Sequence, residues 1–406
     1  MNAGPGIYLD NHATTRLDPR VLEAMLPWLT DHYGNAGSTT HEPGRQARDA
    51  VEAARETFAR AIGATAREIV FTSGATESTN LAILGAAARA RHADPRRRHV
   101  VTLESEHHAT LDPLGHLERE GYEVTRLAVV SQVDPAGIPG QVRDDDLRAA
   151  VRDDTLLASV LLANNEIGVV QEVSRVAEVV HAAGGLVHVD CAQALGRMPI
   201  DMDALGADLA SFSAHKFHGP KGAGALYVRR RGRSVRLEPL VYGGGQERGL
   251  RSGTLDVPGI VGLAEAARLA ADGLAEEMPR VRRGRDRLLA KLVAGVGGLL
   301  VNGPAVTAET STGLPARLVN NLNVHVPGVD GQTLLAMLAT SGLALSSGSA
   351  CAADNPRPSH VLLALGLSED RARASLRFGL SRFTTEAEVD EAAARVAAGV
   401  DRLRSA

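Results

Sequence analysis

Lys216 stands in SFSAHKFHGPKGAG (211–224) among small, hydroxyl-bearing and imidazole side chains, directly after a run that reads as a buried strand. Lysine is seldom buried without a partner, so an amine at the mouth of a strand asks for one. Other apolar runs end in clusters that also carry chemistry: SGATE at 73–77, ESEHH at 104–108, NNEIG at 164–168 and DCAQ at 190–193. Singly, each has an ordinary reading. Asp190 serves as a helix cap or buried ion pair, His107 as a hydrogen-bonded core histidine, and Lys216 as a surface lysine in a glycine-rich turn. Jointly they meet four needs of one cofactor. A helix start suits a phosphate, because its backbone N–H groups are unpaired and its dipole end is positive. A ring needs a stacking partner, a ring nitrogen a carboxylate, and a carbonyl an amine. Pyridoxal phosphate has all four parts: Asp190 keeps its pyridinium protonated as an electron sink, and Lys216 holds it as a Schiff base.

These residues must be positioned by the elements that precede them. Between 69 and 229, IVFTSG, HVVTLES, LLASVLLANN, GLVHVD, DLASFS and GALYVR alternate with helical patterns. That order predicts an α/β fold, with a mostly parallel central sheet flanked by helices. LLASVLLA (156–163) is apolar without alternation, as a strand covered on both faces should be. Ligands of such sheets collect at the carboxyl ends of strands. Asp190 and Lys216 are 26 residues apart, enough for a crossover and a return strand that would set them at neighbouring strand ends. From about 257 a long Ala, Leu, Glu and Arg-rich helical stretch runs to Val296, followed by strands in LVNNLNVHV and SLRFGLSR and helices over 332–341 and 386–404. The expected division is a large domain over 15–259 and a smaller α+β domain made of 1–14 and 260–406.

Composition bounds the function. The 406 residues are 44% hydrophobic and 23% charged, with a formal net charge of −4. No basic field is available for nucleic acid, and PRRRH (95–99) reads as a solvated loop. No apolar stretch approaches the ~18 residues of a membrane span, and the N-terminus lacks a secretory pattern. A cytoplasmic protein is expected. The two cysteines, Cys191 and Cys351, lack metal-type spacing, and no metal site is expected. GGGQERG and GPKGAG match neither phosphate-loop nor dinucleotide spacing. Cys191 follows Asp190 on a buried strand and reads as a packed small hydrophobe. SSGSAC (346–351) is a run of small residues ending in a thiol, expected to be exposed and mobile over about 346–358.

YLDNHATT (8–15), FTSGATEST (71–79), ANNEIGVVQ (163–171), HVDCAQ (188–193), SFSAHKFHGPKG (211–222), GGGQERGLRSGT (243–254) and SSGSACAA (346–353) occur in this order over almost the whole chain. With them the sequence resembles the cysteine desulfurases of the fold-type I, class V aminotransferase group, in the branch that includes bacterial IscS and NifS. The resemblance implies that Lys216 is the Schiff-base lysine, Asp190 the pyridinium partner, and His107 the imidazole on the ring with a part in proton transfer. It implies that Asn165 and Gln193 bond the phenolic oxygen and substrate. Ala75, Thr76, Ser213 and His215 match the phosphate cradle, and Thr254 matches a residue reaching the phosphate from the other subunit of a homodimer. Arg377 matches the arginine for the substrate carboxylate, a task suited to a planar guanidinium.

In that branch Cys351 accepts the sulfur of free L-cysteine as a persulfide, leaving L-alanine, and passes it to a sulfur-acceptor protein or thiol. Only the thiolate attacks, so a base or cationic surround is required. Iron–sulfur cluster assembly, tRNA thiolation, DNA modification and biosynthesis all draw on such sulfur, and the sequence does not choose among them. The sequence carries no longer tail after TTEAEVDEAAARVAAGVDRLRSA of the kind that engages an iron–sulfur scaffold. Pro356 and Pro358 replace a Ser/Thr-rich segment, which should stiffen the loop end. Other readings are a selenocysteine or cysteine-sulfinate lyase or an aminotransferase, in which Cys351 is dispensable, and a cofactor-free scaffold for sulfur-handling partners.

Overall fold

The computed structural model describes residues 6–347 and 357–405, so Cys351 and most of the loop expected over 346–358 lie outside the described residues. A short strand β1 (Ile7–Tyr8) precedes the main sheet, formed by β2 (Ile69–Thr72), β3 (His99–Leu103), β4 (Glu123–Leu127), β5 (Thr155–Leu161), β6 (Leu186–Asp190), β7 (Leu209–Ser213) and β8 (Gly224–Val228). Its seven strands run in the order β2-β8-β7-β6-β5-β3-β4. β3 to β7 are mutually parallel, and β8 is antiparallel to β7 and β2. The chain winds from β5 outward through β6 to β7, but from β3 outward to β4. The order therefore reverses between β3 and β5, where such folds open a crevice.

All seven residues of β5 are buried, as its unbroken apolar run requires. The six strands expected from the sequence are all present. β4 was not anticipated, because EVTRL is a half-exposed edge strand with only Leu127 fully buried. Successive residues of a strand face opposite sides. Val101, Val160, Val189 and Phe212 pack on one face against Val51, Phe58, Val176 and Leu263. Val100, Leu157, Leu209 and Leu226 pack on the other against Leu81, Ile83, Leu114 and Leu117.

β9 (Leu300–Val301), β10 (Asn321–His325), β11 (Leu343–Ala344) and β12 (Ser375–Gly379) complete the strands. β10 is flanked by β12 and β9 in an antiparallel sheet, while β1 pairs in parallel with β11. Leu322, Val324, Leu376 and Phe378 of this sheet bury against Leu288, Leu292, Val396 and Val400. The helical stretch expected as one piece from 257 is two helices, Val257–Asp272 and Leu274–Gly295, broken at Gly273. Glycine is a poor helix former, and the break lets the first helix pack on the main core and the second on the smaller one. The last helix, Glu386–Arg404, starts with a capping box in which Thr385 and Glu388 satisfy each other's backbone N–H.

Candidate active site

The carboxyl ends of β3, β5, β6 and β7 deliver His107, Asn165, Asp190 and Lys216 to one cavity of about 560 Å³. β6 and β7 are parallel neighbours with the helix Met202–Leu205 between them in sequence, as the spacing of Asp190 and Lys216 led one to expect. The Lys216 Nζ donates to the carbonyls of His12 and Ala13, both at 2.8 Å. His107 caps the helix His108–Arg119, its Nδ1 accepting from the Ala109 N–H at 3.0 Å. The ring proton therefore sits on Nε2. Asp190 is 8% exposed, and its Oδ1 accepts from the Ala192 N–H at 2.8 Å. Burial pushes the Asp190 carboxyl above its ordinary range, opposed by that N–H and by His107 and Lys216. Burial likewise pushes His107 down, with Asp190 opposing.

The other end of the cavity is built by the helix Ala75–Ala93, whose N-cap Gly74 supplies no side-chain cap. Gly74 has φ 157° and ψ 178°, backbone angles essentially confined to glycine. Gly224 lets β8 pass close by, since a Cβ there would lie 2.4 Å from the Gly74 Cα. Ala75, Thr76, Ser213, His215 and Lys221 all line the cavity. Burial, and then the charges of Lys216 and Lys221, push His215 down to about 4, so it is neutral near pH 7. An uncapped helix start, hydroxyls and Lys221, together with the buried Asp190 carboxylate and the Lys216 amine in the same cavity, fit pyridoxal phosphate. Among the described residues there is no group of three ligands for a metal ion.

Arg377, on β12 and fully buried, also lines the cavity. It donates to Asp10 Oδ1 at 2.8 Å and to the Asn165 carbonyl at 3.1 Å. Gln193 lines the cavity, donating Nε2 to the His12 carbonyl at 2.9 Å, while its Oε1 meets His12 Nδ1 at 3.0 Å and the Arg197 guanidinium. Thr254 is exposed and lies outside the cavity lining of its own chain. Cys191 is fully buried, and burial pushes its thiol up, away from the reactive thiolate.

Several cavity residues escaped the sequence reading. His12, Glu77, Lys221 and His360 all line it. Glu77 accepts from Arg251 at 2.9 Å and from the Ser73 N–H at 2.8 Å. His360 bonds the Glu106 carbonyl at 2.8 Å, and its ring lies 5.0 Å from that of His108. His12, Glu77 and Lys221 fall inside the motif stretches YLDNHATT, FTSGATEST and SFSAHKFHGPKG, which was the available signal. Nothing local distinguishes His360 from a surface helix residue.

The sequence profile described as aminotransferase class-V matches residues 7–392. The cysteine desulfurase IscS of Anaeromyxobacter sp. (strain Fw109-5) is 50% identical over 400 residues, covering 98% of this chain and 93% of the relative. The cysteine desulfurase IscS of Klebsiella pneumoniae subsp. pneumoniae is 47% identical over the same shares of both chains. A solved NifS-like protein superposes with a TM-score of 0.86 at 37% identity, over 98% of this chain and 100% of its own. The chain belongs to the class-V aminotransferase family, on its cysteine desulfurase branch.

Proposed function

We infer that the protein is a pyridoxal phosphate-dependent cysteine desulfurase, converting L-cysteine to L-alanine and passing the sulfur to an acceptor. The observation that carries this is the meeting of Lys216, Asp190, His107 and Arg377 around one cavity in a chain half identical to such an enzyme. Bound there, the cofactor supplies an electron sink that makes an amino-acid Cα–H acidic. Lys216 would anchor it, and its amine would move the Cα proton. Asp190 keeps the ring nitrogen protonated. His107 would cover the ring with its Nε2–H as a hydrogen-bond donor, while Arg377 would grip the substrate carboxylate. Asn165 and Gln193 bond the phenolic oxygen and substrate; Ala75, Thr76, Ser213 and His215 hold the phosphate.

Cys351 takes the sulfur: its thiolate attacks the substrate sulfur, the C–S bond breaks, and the carbon is protonated to alanine, leaving a persulfide on Cys351. The persulfide is handed to a sulfur-acceptor protein. We place Thr254 on the phosphate of the second subunit of a homodimer. Its exposure supports this, as does that of Val241 and Tyr242 in the preceding segment. We divide the chain into a large domain over 15–259 and a small one of 1–14 and 260–406 carrying the cysteine segment over 346–358. A cytoplasmic setting is supported by the free thiol of Cys191 and by the reduced state Cys351 needs. Among the described residues no helix is long and apolar enough to cross a membrane.

The test is alanine release from L-cysteine by the holoenzyme and its Cys351→Ala variant. The variant should keep the yellow cofactor band and lose alanine formation. Undiminished alanine release would favour a lyase or aminotransferase instead.

A further inference from the structure

His12 is 1% exposed and lines the cavity. Its hydrogen-bonding roles are dictated by a chain of groups that begins at a residue able only to donate. Arg317, also 1% exposed, donates Nε to the Pro304 carbonyl at 2.9 Å and a terminal N–H to Asn321 Oδ1 at 2.7 Å. A guanidinium accepts nothing, so Asn321 turns its oxygen to Arg317 and its NH2 the other way. That NH2 reaches the Glu166 carbonyl at 3.0 Å and His12 Nε2 at 3.2 Å. His12 Nε2 is therefore the acceptor, the ring proton is on Nδ1, and Nδ1–H donates to Gln193 Oε1 at 3.0 Å. Arg197, again a pure donor, takes the remaining lone pair of that oxygen, which it approaches far more closely than His12 Nδ1 at 3.5 Å. With its oxygen saturated, Gln193 gives one amide hydrogen to the His12 carbonyl at 2.9 Å and has the other left for the cavity.

We propose that His12, acting with Arg197, is a positioning residue that holds Gln193 with an amide N–H, rather than its carbonyl, toward the phenolic oxygen of the cofactor. This rests on the reading of Gln193 as the partner of that oxygen. A donor there favours the anionic oxygen. It thereby weakens the hold on the proton that the oxygen shares with the adjacent nitrogen, and the cofactor's visible absorbance titrates at lower pH. Two features of the fold serve this arrangement. The space for the imidazole exists because β12 has glycine at 379, where a Cβ would come within 2.7 Å of His12 Cδ2. Burial, and the charges of Arg197, Arg377 and Lys216 facing the ring, hold His12 neutral, well below its ordinary value.

The test is a pH titration of the visible absorbance of the holoenzyme, as wild type and as His12→Phe, His12→Asn and Gln193→Leu. His12→Phe keeps a ring but no donor, and His12→Asn keeps an amide N–H near the place of Nδ1. His12→Phe and Gln193→Leu should each raise the midpoint by about one pH unit, and His12→Asn should stay within about 0.3 of wild type. A purely structural role for His12 would lower the melting temperature without moving the midpoint. An unmoved midpoint in His12→Phe, with a shift in Gln193→Leu, overturns the proposal alone; no shift in either overturns it together with the assignment of Gln193. A measurement on the unsubstituted cofactor-free chain guards against misfolded variants. Ring nitrogen resonances of His12 should report a neutral, Nδ1-protonated imidazole from pH 6 to 8. An Nε2-protonated or cationic ring would equally sink the idea.

Discussion

Arg377 is a buried cation at the cavity, held by Asp10 at 2.8 Å and by the Asn165 carbonyl at 3.1 Å. Asp10 keeps the guanidinium neutralised before a substrate arrives, and fixes its plane against the cavity wall. Replacing Arg377 by Ala should remove two charge-assisted hydrogen bonds to the substrate carboxylate, worth together about 3 kcal/mol. The expected result is a fall of about 100-fold in kcat/KM for L-cysteine, carried mainly by KM. Steady-state kinetics decide it, and an unchanged KM would assign the carboxylate to another cation. At this scale the residue types were legible in the sequence, because Lys216, Asp190, His107 and Asn165 each belong to a short, recognisable strand-end cluster. Their hydrogen-bond roles were not. The Nε2 proton of His107 follows from its capping of Ala109, which only the turn into the next helix creates.

The helix Ala75–Ala93 contributes its start to the cavity because two glycines let the chain crowd there. Gly224 carries β8 past Gly74 at a distance where a side chain has no room. Gly224→Ala should force β8 or the helix start to withdraw, costing about 1–3 kcal/mol of stability. It should also weaken cofactor binding by roughly tenfold, because the displaced N–H groups no longer converge on a phosphate. Thermal unfolding of the cofactor-free chain and its titration with pyridoxal phosphate measure the two effects separately; wild-type affinity would show that the helix start does not hold the phosphate. The segment bearing Thr254 is tied in by another device. Glu247 accepts both terminal nitrogens of Arg55 at 2.7 and 2.8 Å and also the Phe71 N–H at 2.8 Å, joining the helix Glu42–Ala61, β2 and the glycine-rich loop. The strands of the main sheet were readable because each is a compact apolar run. β4 and the two-residue strands β1, β9 and β11 were not, since edge and isolated strands need less apolar surface than buried ones.

The molecule as a whole buries several neutral histidines, and this sets its response to acid. Burial holds His188 at about 3, and burial followed by the charge of Arg382 holds His218 at about 4. Both lie below the ~6.5 of an unfolded histidine. Between these values the unfolded chain binds protons that the folded chain refuses, so stability is fully present above pH ~6.5 and is lost as pH falls toward 4 and 3. Each histidine should contribute a slope of up to about 1.4 kcal/mol per pH unit. Denaturant midpoints at pH 7 and pH 5 should differ accordingly, and equal midpoints would contradict the buried, neutral state of both rings. The linear sequence by itself determined the mostly parallel α/β sheet, the residues that end its strands and the cysteine at position 351, because each is written in a short contiguous stretch with its own periodicity or chemistry. Tertiary structure decided which distant groups meet: His12 with Gln193 across 181 residues, Arg377 with Asp10 across 367, and the Lys216 amine with the carbonyls of His12 and Ala13. No local pattern encodes such pairs, since they form only when the N-terminal segment is drawn between the main sheet and the smaller one.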